Sequence, residues 1–134
     1  MRFDLGAVPW APSAGASLGE AWHFWDHPRW GHFEVAGERV AFHRHESVGD
    51  FNRGPSLWTY RSLDEAGLAA LSLPRSEWGA PWQRAYTGWL ARTPACAWAL
   101  ADHDLGIVRF GELTPPVLDD DAWAASFWRG LGLG

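Results

Sequence analysis

The stretch from His32 to His45 constrains the fold more than any other part of the chain. Phe33 and Val35 alternate with polar residues as far as Ala36-Gly37, and Val40 and Phe42 alternate again after it. Period two on both sides of a two-residue, glycine-containing turn is the pattern of a β-hairpin. The turn also sets the register, pairing Glu34 with Arg39 and Phe33 with Val40, so one face is apolar and the other polar. A slip of one residue would carry Phe33 and Phe42 to the wrong face, so the rest of the chain must be built around this pairing.

Further elements follow from similar patterns. Cys96, Trp98 and Leu100 alternate with alanine, Asp102 to Gly106 reads as a turn, and 107–110 returns, which predicts a second hairpin. A short strand is expected at 57–61, after a Gly/Asn/Pro-rich connection at 49–55. Ser17-Leu18-Gly19-Glu20 has the form of a capping box, and Leu18, Ala21, Trp22 and Trp25 follow at i, i+3, i+4 and i+7 before Pro28, so a helix is predicted over 18–27. Ser62-Leu63-Asp64-Glu65 has the same form and opens a second helix through Leu68 and Leu71 to Pro74. Trp78, Trp82, Ala85 and Trp89 predict a third over 78–92, with Pro81 in its first turn and Thr93-Pro94 at its end. Asp119–Asp121 suit the positive end of a last helix carrying Trp123, Phe127 and Trp128. Residues 1–16 read as an irregular arm, and 131–134 as a frayed end. The expectation is one α+β domain over 1–134. Its antiparallel or mixed sheet has two hairpins plus a short strand, covered by about four helices.

Composition supports a packed core and narrows the function. Of 134 residues, 47% are hydrophobic and 20% charged, a globular balance. No apolar run reaches the roughly 18–20 residues of a membrane span, so a soluble protein without a membrane partner is expected. Asp4, Pro9 and Pro12 break any secretory apolar segment, and Cys96 is the single cysteine, which together point to the cytoplasm. Net charge is −5 and the basic residues are scattered, which argues against nucleic acid as a partner, since that binding rests on clustered cations neutralising phosphates. All 11 basic residues are Arg and there is one Ile, one Asn and one Gln, a bias of GC-rich bacterial genomes.

Histidine is the first candidate for chemistry, because five of six (His23, His27, His32, His43 and His45) lie within 23 residues. On the predicted hairpin His32, His43 and His45 share the polar parity, and imidazoles at i, i+2 on a strand can share one metal ion. Gly37, five further residues, and then His43-Arg44-His45 with Asp50 beyond resemble the first metal-binding motif of the cupin superfamily. That resemblance covers about 18 residues and implies a β-barrel with His43, His45 and Asp50 as ligands of a divalent metal. It departs from the family at Asp50, where the family carries Glu, at Leu57 in the slot of the closing Gly, and in lacking the second motif.

The other motifs are explained by structure. Gly15-Ala16-Ser17-Leu18-Gly19 satisfies G-x-S-x-G, but no strand precedes it to deliver a nucleophile, and Ser17 is read as a helix cap. Cys96 has apolar neighbours and is read as packed, ahead of any thiolate paired with His103. Asp102, Asp104 and Asp119–Asp121 lack the spacing of a calcium loop.

Tryptophan is the last candidate. The 11 indoles must fill core, since Leu, Val, Ile and Met together barely outnumber the aromatics. Trp10, Trp30 and Trp58 lie outside the helical stripes, and with Arg29 they are the expected partly exposed residues for a ligand or partner. The function expected is a small acidic binding protein without catalysis of its own. It would engage a protein partner or a ligand in a Trp/Arg-lined cleft, in a role of the inhibitor or immunity type. The alternative is a metal-dependent enzyme or sensor using His43, His45, Asp50 and His32, with a divalent metal as cofactor.

Overall fold

A computed structural model describes residues 2–45, 56–102 and 104–112. Six strands form one antiparallel sheet: β1 (Ser17–Trp25), β2 (His27–Val35), β3 (Glu38–His45), β4 (Ser56–Ser62), β5 (Ala97–Ala101) and β6 (Ile107–Glu112). Each pairs with its sequence neighbour, in the order β1-β2-β3-β4-β5-β6. Two helices, α1 (Glu65–Leu71) and α2 (Ala80–Arg92), lie between β4 and β5, with a short 3-10 turn at Arg75–Glu77. The fold is α+β with an antiparallel sheet.

The predicted hairpin forms with its expected register, Glu34 opposite Arg39 and Phe33 opposite Val40. Ala36 and Gly37 both take positive φ, 51° and 80°, the backbone that matches the twist of paired strands across a two-residue turn. The second hairpin and the strand at 57–61 also form, as β5–β6 and β4. In α2 Pro81 sits in the first turn, where the missing N–H costs nothing. The helix after Ser62 forms too, but its cap is Asp64, whose Oδ1 accepts from the Gly67 N–H at 2.6 Å.

Three expectations are corrected. Among the described residues there are two α-helices rather than about four. The predicted helix over 18–27 is instead β1 and the start of β2, with Pro28 inside the strand opposite Phe24. Its apparent stripe is no buried stripe, since Trp22 is buried while Leu18 and Trp25 are exposed. The meander of neighbouring strands also differs from the double Greek key of a cupin-type jelly roll. The predicted last helix and the frayed end lie outside the described residues.

The sheet buries both faces. One packs Phe33, Phe42, Trp58 and Tyr60 with Ala97, Ala99 and Ile107. It is closed by the N-terminal arm, where Phe3 meets Tyr60 edge-on at 5.0 Å, and the Tyr60 hydroxyl donates to the Pro9 carbonyl at 2.7 Å. The arm also pairs with β6, through Gly6 N–H to the Ile107 carbonyl and Ile107 N–H to the Ala7 carbonyl. The opposite face carries the helices, and Trp82, Tyr86 and Trp89 of α2 pack there with Trp22, Ala41, Leu63 and Leu71. Gly67 lets α1 approach, because a Cβ there would lie 2.7 Å from the Trp89 Nε1.

Candidate functional site

The helix-covered face carries a continuous row of ring-bearing and polar residues. Register partners run His23–Trp30–His43–Thr59–Trp98–Gly111, one residue from each strand. A β-bulge helps to assemble it. Between the pairs Ala21–Gly31 and His23–Trp30, β1 has one residue more than β2, so Trp22 and His23 both serve this face. Trp22 then packs under α2, against Trp82 at 5.8 Å, while His23 lies against Trp30 at 4.5 Å. At the far end Trp98 lies flat across Gly111, where a Cβ would be 2.5 Å from the indole, and the Arg109 guanidinium stands 5.8 Å above it.

His43 is central to the row. Its Nδ1 lies 2.8 Å from the Tyr86 hydroxyl, its ring stacks on Trp30 at 5.4 Å, and His45 approaches edge-on at 4.8 Å. Beside it, His45 Nε2 is 2.9 Å from Thr59 Oγ1, and Arg61 Nη1 donates to the same oxygen at 2.8 Å. The Arg61 Nε donates to the Thr93 carbonyl just after α2, which holds the guanidinium in place. Burial pulls the His43 imidazole down to about 3, with His45, Arg61 and His23 adding to the effect. Burial, with Arg61 second, brings His45 down to about 4. Both rings are therefore neutral at physiological pH. Burial also raises the Tyr86 phenol, so it stays protonated.

This arrangement offers hydrogen bonds and ring faces more readily than acid–base chemistry. Imidazoles with pKa values this low are weak bases near neutrality. The Thr59 hydroxyl is buried and engaged on both sides, so it is no accessible nucleophile. Among the described residues Trp30 Nε1 and His23 Nδ1 are buried with no hydrogen-bond partner, as is His32 Nδ1 on the same face. The residues around them, His23, Trp30, His43, His45 and Arg61, are only half-buried. No family model, curated protein or solved structure matches the chain.

The residues singled out in the sequence divide between the two faces. Trp30 is half-buried in the row just described. Trp10, Arg29 and Trp58 gather on the other face, under the arm. There Trp10 stacks on His27 at 5.5 Å and lies 6.1 Å from Trp58. Partial exposure holds for Trp10, but Trp58 is wholly buried, its indole N–H spent on Ser56 Oγ at 2.9 Å, and Arg29 is buried as well. His27 stands 3.0 Å from the buried Arg44, and burial and the two arginines lower its pKa to about 4.

The metal ligands expected on the hairpin come together only in part. His32, His43 and His45 do share one face, but the face is covered by helices rather than solvated. His32 is buried beside Trp22, 5.6 Å away, and against Gly19. Among the described residues no three His, Cys, Asp or Glu side chains are placed to hold a metal ion. Asp50 and His103 lie outside the described residues. Cys96, expected to be packed, is exposed, with its Sγ 3.4 Å from the Tyr60 carbonyl.

Tyr86, Thr59, Arg61 and Trp98 were not singled out by the sequence reading. A signal was present for two of them. On the predicted strand 57–61 Thr59 and Arg61 share one parity, and they are the polar positions of that strand. Tyr86 stands at i+4 from Trp82 and i−3 from Trp89 on the buried stripe of α2, a spacing that marks it as core but says nothing of His43.

Proposed function

We infer that the protein is a small binding protein that takes a compact, planar, polar ligand on the helix-covered face of the sheet, at Trp30, His43, His45 and Arg61. It performs no chemistry on that ligand. The observation that carries this reading is the half-buried row with idle hydrogen-bonding groups beside a stacking surface. Trp30 supplies an indole, Arg61 a cation, and each neutral imidazole the one ring nitrogen that Tyr86 or Thr59 does not already engage. Ligand sites typically combine apolar surface with a few convergent polar groups, and this row has that mixture of side chains. The low basicity of both imidazoles supports binding over catalysis.

A divalent ion shared by His43 and His45 is the alternative reading. The two rings are neighbours, 4.8 Å between centres, and imidazole nitrogens would supply ligands for an ion of the zinc type. The hydrogen bonds count against it: Nδ1 of His43 and Nε2 of His45 are already engaged, and only two protein ligands are in reach among the described residues.

One experiment separates the two. A set of planar heteroaromatic fragments is screened against isotope-labelled protein, following the Trp30 indole and the His43 and His45 imidazole resonances, and untagged protein is analysed for bound metal. Fragments that shift those signals, and no longer bind Trp30→Ala, support the ligand site. Stoichiometric Zn, Cu or Ni, with the imidazole signals shifted only by metal, would replace it with the alternative. Fragments that map elsewhere, or none at all, would overturn it.

A further inference from the structure

Tyr86, which the binding reading does not use, is the meeting point of an aromatic chain. Trp82 is stacked 4.9 Å from it, Trp30 lies at 5.5 Å and Trp22 at 5.6 Å. Beyond Trp82, Trp78 stands at 6.2 Å and is half-buried, so the chain of rings leads from the interior to the surface at the start of α2. Rings this close are in near van der Waals contact, and an electron vacancy can pass between them in short hops.

The chain's two tyrosines differ in what their hydroxyls touch. Tyr60 donates to the Pro9 backbone carbonyl, which accepts a hydrogen bond but takes up no proton. Tyr86 lies 2.8 Å from His43 Nδ1, and even a weakly basic imidazole binds a proton far more strongly than an oxidised phenol does. Trp82 and Trp78 give their indole N–H groups to the Leu71 and Leu73 carbonyls, again without a base. Removing an electron from a phenol makes its hydroxyl a far stronger acid, so the vacancy settles where a proton can leave. Tyr86 has that outlet at His43.

The geometry points to a one-electron oxidation site: a vacancy introduced at Trp78 passes through Trp82 to Tyr86, which becomes a neutral tyrosyl radical as its proton moves to His43 Nδ1. The step balances. An outer-sphere one-electron oxidant gains the electron, the Tyr86 O–H bond breaks, and the proton forms an N–H bond on His43, leaving an imidazolium beside a phenoxyl radical. No ligand at Trp30, His43, His45 and Arg61 is needed, so this inference stands or falls separately from the binding reading.

The test uses photogenerated tris(bipyridyl)ruthenium(III), a one-electron oxidant, on the full chain, followed by freeze-quenching and electron paramagnetic resonance. A tyrosyl signal is expected in the unaltered protein and in Tyr60→Phe, and its loss in Tyr86→Phe. His43→Gln keeps a hydrogen-bonding side chain but removes the base, and should slow radical formation by about 10²-fold or more. Trp82→Phe should slow it as well. Ring-deuterated tyrosine in Tyr60→Phe protein assigns the radical to Tyr86 by its narrowed spectrum even if Tyr86→Phe fails to fold. Slower formation in D2O tests the proton transfer without any substitution at His43. A radical confined to tryptophan, a tyrosyl signal surviving in Tyr86→Phe, or equal rates in water and D2O would overturn the proposal.

Discussion

The Arg61 Nη1 donates to Thr59 Oγ1 at 2.8 Å, and the same oxygen lies 2.9 Å from His45 Nε2. A hydroxyl has one hydrogen to give, and with Arg61 on one lone pair its full capacity is used when that hydrogen goes to His45 Nε2. The imidazole then carries its proton on Nδ1. Nitrogen-15 spectra should show the Nδ1–H tautomer for His45 near pH 7. Thr59→Val should lose that preference and, by leaving buried polar groups without partners, destabilise the fold by about 1–3 kcal/mol in urea titrations. An Nε2–H tautomer in the unaltered protein would mean that Thr59 accepts from both neighbours.

Protonation of the buried histidines should weaken the fold in acid. His27, His43 and His45 fall from an ordinary 6.5 to about 4, about 3 and about 4. The unfolded chain therefore binds more protons than the folded one below pH 6.5, and stability drops as pH falls from there through the folded values. This contribution is fully present above pH 6.5 and gone below about 3. Urea midpoints at pH 7, 5.5 and 4.5 should fall in that order. The slope should be shallower in His43→Gln, and an equal slope would mean that the ring titrates as it does in the unfolded chain.

Local signals made the core of the fold legible where they agreed with long-range packing. Ala36-Gly37 fixed the β2–β3 register because a two-residue turn leaves no freedom, and the spacing of Trp78, Trp82 and Trp89 gave α2 because one helical face is buried. β1 was lost for a physical reason. Its bulges break the period of two, and the irregular spacing of Leu18, Ala21, Trp22 and Trp25 imitates a helical stripe. The parity of His32, His43 and His45 was readable, so one face of the site was too. What covers that face was not, because it depends on how the segment between β4 and β5 folds back, a decision made by contacts far apart in sequence. The same gap hid Tyr86.

Gly31 should be the least tolerant glycine of the sheet. A Cβ there would stand 2.3 Å from the Glu20 carbonyl oxygen and 3.0 Å from the Ala21 Cα, backbone atoms that cannot rotate away. Gly31→Ala should force β1 off β2, at a cost of about 1–3 kcal/mol or more, and weaken the row by moving His23 from Trp30. Gly15→Ala meets nothing within 4 Å and serves as the control. Equal urea midpoints for the two variants would show that β1 does not lie this close to β2.

The exposed rings at the end of β1 and the buried indole of Trp58 on β4 should behave in opposite ways. Phe24 and Trp25 are 64% and 61% exposed, so their apolar surface gains little from folding, and Phe24→Ser or Trp25→Ser should shift stability by no more than about 0.5 kcal/mol. Trp58 is fully buried between Trp10 and Phe42 with its N–H on Ser56, and Trp58→Ala should cost about 3–5 kcal/mol through the cavity it leaves. Chemical denaturation of the three variants checks this directly. A large loss for Phe24→Ser or Trp25→Ser would place those rings in a buried contact, and the oligomeric state of the unaltered protein would then show whether a second copy supplies it.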